Sequence, residues 1–498
     1  MTMRLPLNDE QKAAITTGAD RVFIEAAPGA GKTTVATERF GLSRFGRARD
    51  GRGVVAVSFA RSARGELDQR VRRRWGSNAL RWPHKVWTLD SLHFALVQHL
   101  LRSGAITWPA GVTELQVVDT WRGHKGSWPR PVGSYIQGLW LNGTIVTIGN
   151  GNATLSEYAF SGVGPYRAHL EAGLCTHTEI RQVLGAAIAK DSGLKPIVTD
   201  FLKNTIATLI VDEVFDGNML DLAIVYGAAS TGIPTTLIGD PWQALYAFRG
   251  ARPELVPQVV ANLKFETLGI SESFRFETTE MQTLAEALRA GQPVVVSGGP
   301  AQNCDVVLAS EWARLWTAGH CVLPLSFGQA SNRVDAAIAL LLDHVVSQRF
   351  GVLSTFGSDA AVMLGLDPEV LRADGAAQLA PVVETLGEGT EQAAKEGFAL
   401  LRSNLLELGS RSIPNLQAAK MTERYARLIR LSERLAGADV IPGLTIHQAK
   451  GREWSQVGVA LSDPERARLA KGLEQDSEDD RALYVALTRA RHETRLVG

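Results

Sequence analysis

Cysteine, long apolar runs and an excess of charge of either sign are what this 498-residue sequence lacks. Its three cysteines, Cys175, Cys304 and Cys321, stand far apart and form no C-x-x-C pair. That argues against a zinc ribbon, an iron–sulfur cluster or a disulfide framework, and the three read as small buried residues of a reducing compartment. No run of about 18 uncharged apolar residues occurs, so no membrane-spanning helix is expected. The opening MTMRLPLNDEQ has no apolar signal core, and the expectation is a cytoplasmic protein with no membrane partner. With 52 basic residues against 52 acidic ones, any nucleic-acid partner must be held by a local groove rather than by an overall cationic field. The length allows two to four domains.

Against these absences stands the segment EAAPGAGKTTVAT, which begins at Glu25 and holds the pattern A-x-x-x-x-G-K-T of a phosphate-binding loop. The run RVFIEA before it reads as a strand, and KTTVATERF after it reads as a helix. Gly29 and Gly31 would let backbone N–H groups approach phosphate oxygens, Lys32 would reach the terminal phosphates and Thr33 would ligate magnesium. Ala27, Ala30 and Thr34 complete the loop. The apolar segment ATLIVDEVFD ends in Asp212 and Glu213, where a parallel sheet would present its carboxyl end beside that loop. Asp212 would hold the metal, and Glu213 would orient or deprotonate the attacking water. Arg275 in SESFRFETTE and Arg489 in DDRALYVALTRARHE are the cations available to offset charge on a transferring phosphoryl group.

In chain order the segments LNDEQKAAI, the phosphate loop, VVAVSFARSARGELDQRV, VWTLDSLHFAL, LIVDEVFD, LIGDPWQALYAFRGA, ESFRF, LTIHQAKGREWSQVGVA and DDRALYVALTRAR span residues 7 to 491. This ladder resembles the motifs of superfamily 1 helicases of the UvrD/Rep type. The resemblance implies an α/β fold of two RecA-like parallel-sheet motor domains with inserted, mainly helical accessory subdomains. It implies that Gln11 reads the adenine edge, Phe274 stacks on the base, Glu453 contacts the ribose and Gln243 senses the γ-phosphate. Arg275 and Arg489 become the two arginine fingers, Arg489 being brought by the second motor domain. The strand-binding residues it implies are Phe59, Arg61, Thr88, Ser91, Tyr246, Phe248 and His447. Trp242 and Trp454 read more readily as core or cleft wall. The chain lacks a guanine-reading N-K-x-D motif, so ATP with Mg2+ is expected rather than GTP.

The expected domains are a first motor domain in two parts, 1–95 and 196–270, around an insertion at 96–195. A second motor domain, 271–350 and 437–498, surrounds a shortened helical insertion at 351–436. The first insertion is rich in aromatics (Trp108, Trp121, Trp128, Trp140, Tyr135, Tyr158, Tyr166), and its LNGTIVTIGNGNATL stretch reads as loops or a hairpin. Two positions depart from the family. Phe215 stands where motif II usually has glutamine, and Asp90 stands where relatives often have histidine, with Lys85 or His93 as the residues to neutralise it. The implied activity is ATP-driven 3′-to-5′ translocation on single-stranded DNA with unwinding at single-strand/duplex junctions. The alternative is a DNA-sensing ATPase subunit that regulates a partner nuclease in bacterial defence or repair.

Overall fold

The structure, a computed structural model, describes residues 7–46, 50–59, 61–121, 124–129, 136–151, 158–160, 162–366, 368–415, 421–437 and 439–498. It divides into two compact units, Met1–Phe274 and Arg275–Gly498.

The first unit opens with α1 (Asp9–Thr16), β1 (Arg21–Ala26), α2 (Lys32–Gly46), β2 (Gly53–Ser58), α3 (Arg61–Trp75), β3 (Lys85–Thr88) and α4 (Leu89–Arg102). Short pieces follow: β4 (Gln116–Val118), β5 (Ser127–Pro129), β6 (Ile136–Asn142), β7 (Ile145–Gly151), β8 (Tyr158–Phe160), α5 (Val163–Glu171), β9 (Leu174–Thr176) and α6 (His177–Ala187). The unit closes with α7 (Lys195–Thr205), β10 (Ile206–Val211), α8 (Met219–Ser230), β11 (Thr235–Gly239), α9 (Val256–Asn262) and β12 (Glu266–Ile270). Six strands form one parallel sheet in the order β12-β1-β11-β10-β2-β3. Strands such as GVVAVS and IATLIV are apolar almost without interruption because helices cover both faces. Val35, Phe40, Leu67 and Val71 pack one face, and Leu92, Leu96, Leu222 and Val225 pack the other. Since all six strands run one way, their carboxyl ends share one edge, where ligands of open α/β sheets bind.

The insertion after α4 is of mixed structure. Two helices accompany three two-stranded sheets, β4–β9, β5–β8 and β6–β7. The last is a hairpin whose turn, Gly143–Thr144, has Gly143 at φ 62°. Trp108, Trp121, Phe160 and Tyr166 are buried as its core, with Trp121 edge-on to Phe160 at 5.3 Å. Trp140 is exposed. Tyr135 and the side chains of Trp128 and Tyr158 lie outside the described residues.

The second unit runs through α10 (Thr279–Arg289), β13 (Val306–Ala309), α11 (Trp312–Leu315) and β14 (Val322–Pro324). A helical run follows: α12 (Arg333–Phe350), α13 (Gly357–Leu364), α14 (Pro368–Leu386), α15 (Glu391–Glu407) and α16 (Met421–Leu435). It ends with β15 (Ile441–Thr445), α17 (Ile446–Ala449), β16 (Trp454–Val459), α18 (Asp463–Lys471), α19 (Glu478–Leu487) and β17 (Ala490–Leu496). Its sheet is again parallel, in the order β14-β15-β13-β16-β17. Helix α12 is apolar nearly all round and packs against α13, α14, α15 and α16, as expected of a helix central to its own bundle. Among the described residues no helix is long and apolar enough to cross a membrane.

Candidate active site

The phosphate loop joins β1 to α2. Gly29 and Gly31 have φ of 74° and 88°, and a Cβ on Gly31 would stand 2.6 Å from Gln11 Nε2. Both positions therefore call for glycine. The loop is held from two sides. Gln11 is buried on α1, where it closes a capping box with Asn8, accepts from Asn8 N at 3.2 Å and donates through Nε2 to Ala30 O at 2.9 Å. Within this structure Gln11 braces the loop. From the other side Ser273 Oγ donates to Pro28 O at 2.7 Å, Phe274 N donates to Gly29 O at 3.0 Å, and Ala27 N donates to Ile270 O at 2.9 Å. Phe274 is thus tethered beside the loop by its backbone, with its ring half-buried.

Lys32 and Thr33 start α2, and Thr34 Oγ1 accepts from Arg70 Nη1 at 3.3 Å. The Lys32 ammonium is buried and faces Glu213 Oε1 at 3.1 Å, yet makes no hydrogen bond of good geometry. Asp212 follows β10 and is 3% exposed. Burial, with the Glu213 charge beside it, pushes its carboxyl up to about 7 against the opposing pull of Lys32. Glu213 has φ 58° and ψ 44°, a left-handed conformation rare outside glycine and often kept at functional sites. After the neighbouring β11, Asp240 accepts from Gln243 Nε2 at 2.8 Å and from Trp242 N at 3.2 Å. Trp242 is core, as its sequence context implies.

These groups fit a magnesium nucleotide. A buried carboxylate with a raised pKa regains its charge beside a cation. Among the described residues no group of three or more His, Cys, Asp or Glu could hold a metal alone.

Of the residues assigned to binding a nucleic-acid strand, Phe59, Thr88, Tyr246 and Phe248 stand at or after the carboxyl ends of strands in the first unit's sheet. Phe59 follows β2, is half-buried and packs on Gly217. Thr88 caps α4 by accepting from Ser91 N at 3.2 Å, with the two hydroxyls 2.9 Å apart. Tyr246 and Phe248 have ring centroids 6.1 Å apart, and Phe248 is 63% exposed. The loop carrying them is bound to the segment after Asp212–Glu213 by Arg252 N donating to Gly217 O at 2.8 Å. Arg61 is exposed but engaged, its Nη1 donating to Asp119 at 2.7 Å.

Asp90 is neutralised differently from the expectation. Lys85 turns to the face of Trp87, 4.1 Å from its centroid, and His93 Nδ1 stays 4.0 Å from the Asp90 carboxylate. The cation that meets Asp90 is Arg181 of α6, at 2.5 Å. Helix α6 is itself set by the buried Glu179, which accepts from Trp121 Nε1, Tyr166 Oη and Thr176 N at 3.1, 2.9 and 2.7 Å. Ninety-one positions separate Asp90 from Arg181, and no local spacing rule reaches across them.

In the second unit Arg275 is 11% exposed by side chain, donates through Nε to Glu453 at 3.0 Å and through Nη1 to Thr488 O at 2.9 Å. The two residues assigned to phosphate and ribose therefore pair with each other. Arg489 is 1% exposed and donates through Nε to Val485 O at 3.0 Å and through Nη1 to Arg452 O at 3.5 Å. Trp454 N donates to Arg489 O, and His447 is half-buried on α17.

Two family models match the chain. The UvrD/REP helicase N-terminal domain matches residues 7–108 and 177–263, and the UvrD-like helicase C-terminal domain matches residues 443–497. The first skips 109–176, most of the inserted small sheets. ATP-dependent DNA helicase UvrD2 of Mycobacterium tuberculosis is 24% identical over 574 aligned residues, covering 97% of this chain and 77% of that protein. The same figures hold for UvrD2 of Mycobacterium bovis. DNA helicase II of Haemophilus influenzae is 24% identical over 143 residues, 29% of this chain and only 18% of that protein. With both models falling on the parallel-sheet cores and a relative aligned over nearly the whole length, the chain belongs to the UvrD/Rep-like family of superfamily 1 helicases.

Proposed function

We propose that this protein is an ATP-dependent DNA helicase that moves 3′ to 5′ along single-stranded DNA and opens duplex at the junction. One observation carries the reading. A single sheet edge holds both a braced phosphate loop with an acidic pair, Lys32 with Asp212 and Glu213, and a row of aromatics and hydroxyls, Phe59, Thr88, Ser91, Tyr246 and Phe248. Stacking on exposed aromatics binds single strands without regard to sequence. The polarity rests on the resemblance to UvrD/Rep motors.

Lys32 and the N–H groups of Gly29 to Thr33 would hold the β- and γ-phosphates, with Thr33 and Asp212 on the magnesium side. When bound, magnesium supplies charge neutralisation across those phosphates. Lys32 would then exchange its Glu213 partner for phosphate, leaving Glu213 to take a proton from water. Gln243, preset by Asp240, would report the γ-phosphate. Phe274 would stack on the adenine, and Glu453 would meet the ribose. Arg275 and Arg489 would supply positive charge to the transferring group.

The test is ATP turnover with and without single-stranded DNA, beside unwinding of duplexes tailed at 3′ or 5′. Stimulated turnover with opening from the 3′ tail is expected. Opening from the 5′ tail overturns the polarity, and unstimulated turnover overturns the strand-dependent motor.

A further inference from the structure

Phe215, which follows the acidic pair, offers no polar link from the nucleotide loop to the strand path. It is buried edge-on against Phe23, with ring centroids 6.1 Å apart, and its ring would stand 2.7 Å from any Cβ on Gly239. A polar link exists one turn further along. Asn218 caps α8 and forms a box with Asp221, donating to Asp221 Oδ2 at 2.9 Å and accepting from Asp221 N at 3.0 Å. The other oxygen, Asp221 Oδ1, lies 3.2 Å from His93 Nε2.

His93 is fully buried on α4, two residues after Ser91. Neither of its ring nitrogens makes a hydrogen bond of good geometry, and the carboxylates beside them are Asp221 at 3.2 Å and Asp90 at 4.0 Å. Asp90 is in turn held by Arg181. Burial lowers His93 to about 4, with Asp90 opposing and Arg181 and His177 assisting, and burial raises Asp221 to about 7. A buried polar pair is costly compared with apolar side chains of the same volume.

Resting on the proposed function, we infer that Asp221 and His93 are positioning residues that couple the nucleotide loop to the strand-binding turn. The route is continuous. Asp212 and Glu213 lead through the turn at Val214–Asp216 to the Asn218 cap, the cap fixes Asp221, and Asp221 Oδ1 lies 3.2 Å from His93 Nε2 in the helix whose first turn carries Thr88 and Ser91. A shift of the acidic pair on nucleotide binding moves the cap and, through His93, the hydroxyls of that turn. Motions are carried by contiguous packed contacts of this kind.

The experiment uses the full chain with His93→Phe, which keeps a ring and removes the nitrogens, and Asp221→Asn, which keeps a cap acceptor and donates Nδ2–H to His93. His93→Phe is expected to lower the stimulation of ATP turnover by oligodeoxythymidine about fivefold or more. Basal turnover and DNA affinity should stay within about twofold of the parent. Asp221→Asn should retain stimulation. Wild-type stimulation in His93→Phe, or parallel loss of basal turnover and affinity, overturns the inference. Should His93→Phe not fold, Asp221→Ser, which withdraws the carboxylate from His93, carries the same expectation.

A second readout needs no DNA. A non-hydrolysable ATP analogue is expected to change amide exchange at residues 88–93 in the parent but not in His93→Phe. No change in the parent overturns the link. A parent whose turnover ignores DNA contradicts the proposed function instead, and the exchange result still decides the link.

Discussion

In the first unit, the groups around the sheet's carboxyl edge are set under tension. The Lys32 ammonium meets Glu213 in poor alignment and makes no hydrogen bond of good geometry, Asp212 is buried with its carboxyl pushed up to about 7, and Glu213 sits at a positive φ. In the second unit, more of the donors of the singled-out cations are engaged, although Arg489 Nη2 makes no hydrogen bond of good geometry. Arg275 is matched to Glu453 and Thr488 O, and Arg489 is enclosed by the carbonyls of Val485 and Arg452. Unsatisfied charge is where a ligand gains most by binding, whereas satisfied charge is a reservoir that must be redirected. The first unit should therefore determine whether nucleotide binds, and the second how fast it turns over.

The largest effects fall on the first unit. Lys32→Ala is expected to cut ATP turnover by about 100-fold or more and to weaken nucleotide binding, seen as loss of fluorescent-nucleotide anisotropy. Glu213→Gln should keep that binding while lowering turnover by about 100-fold or more, which single-turnover kinetics would separate from product release. A Glu213→Gln protein with normal turnover removes that carboxylate from its role.

Arg275→Ala sharpens the contrast. Turnover should fall by about 100-fold with nucleotide affinity nearly unchanged. Arg489→Ala should do the same and also lower the melting temperature, because it empties a fully buried site. A drop in affinity equal to that of Lys32→Ala would erase the distinction between the two units.

A smaller effect is expected at Phe248, whose exposed ring contributes little to folding. Phe248→Ala should weaken single-stranded DNA binding by about 1–3 kcal/mol with an unchanged melting temperature.

The most specific effect is in the pH dependence of stability. Asp221, raised to about 7 from 3.8, contributes stability that is present at low pH and lost as pH rises through 7. His93, lowered to about 4 from 6.5, contributes stability present above 6.5 and lost as pH falls toward 4. Between those limits the folded pair and the unfolded pair each bind one proton, so their terms cancel. Single variants should expose the two halves. His93→Phe should lose stability as pH rises from about 4 to 7, and Asp221→Asn should lose it as pH falls from about 6.5 to 4, each by about 1.4 kcal/mol per pH unit relative to the parent. Thermal melts from pH 5 to 7 would show slopes of opposite sign.

What the sequence made legible was local. The loop from Ala27 to Thr34 could be read because its phosphate-binding geometry is encoded in eight consecutive residues between a strand and a helix. The second turn of the same chemistry, Asp212–Glu213, could be read because a parallel strand must end beside it. The hairpin at Gly143 was marked by the Gly- and Asn-rich stretch around it. Arg181 and Asp119 were illegible because they approach Asp90 and Arg61 from an insertion that forms no regular pattern with the motor strands. The bracing by Gln11 is stated by no motif, since its amide ties α1 to Ala30 O. The Asp221–His93 contact joins two helices whose apolar periodicity hides buried polar residues.

The most direct measurement is steady-state ATP turnover of the purified chain titrated with oligodeoxythymidine. A saturable rise in turnover that Lys32→Ala abolishes and Phe248→Ala shifts to higher DNA concentration is the predicted result. Turnover indifferent to DNA at every concentration would contradict the claim that one sheet edge serves both nucleotide and strand.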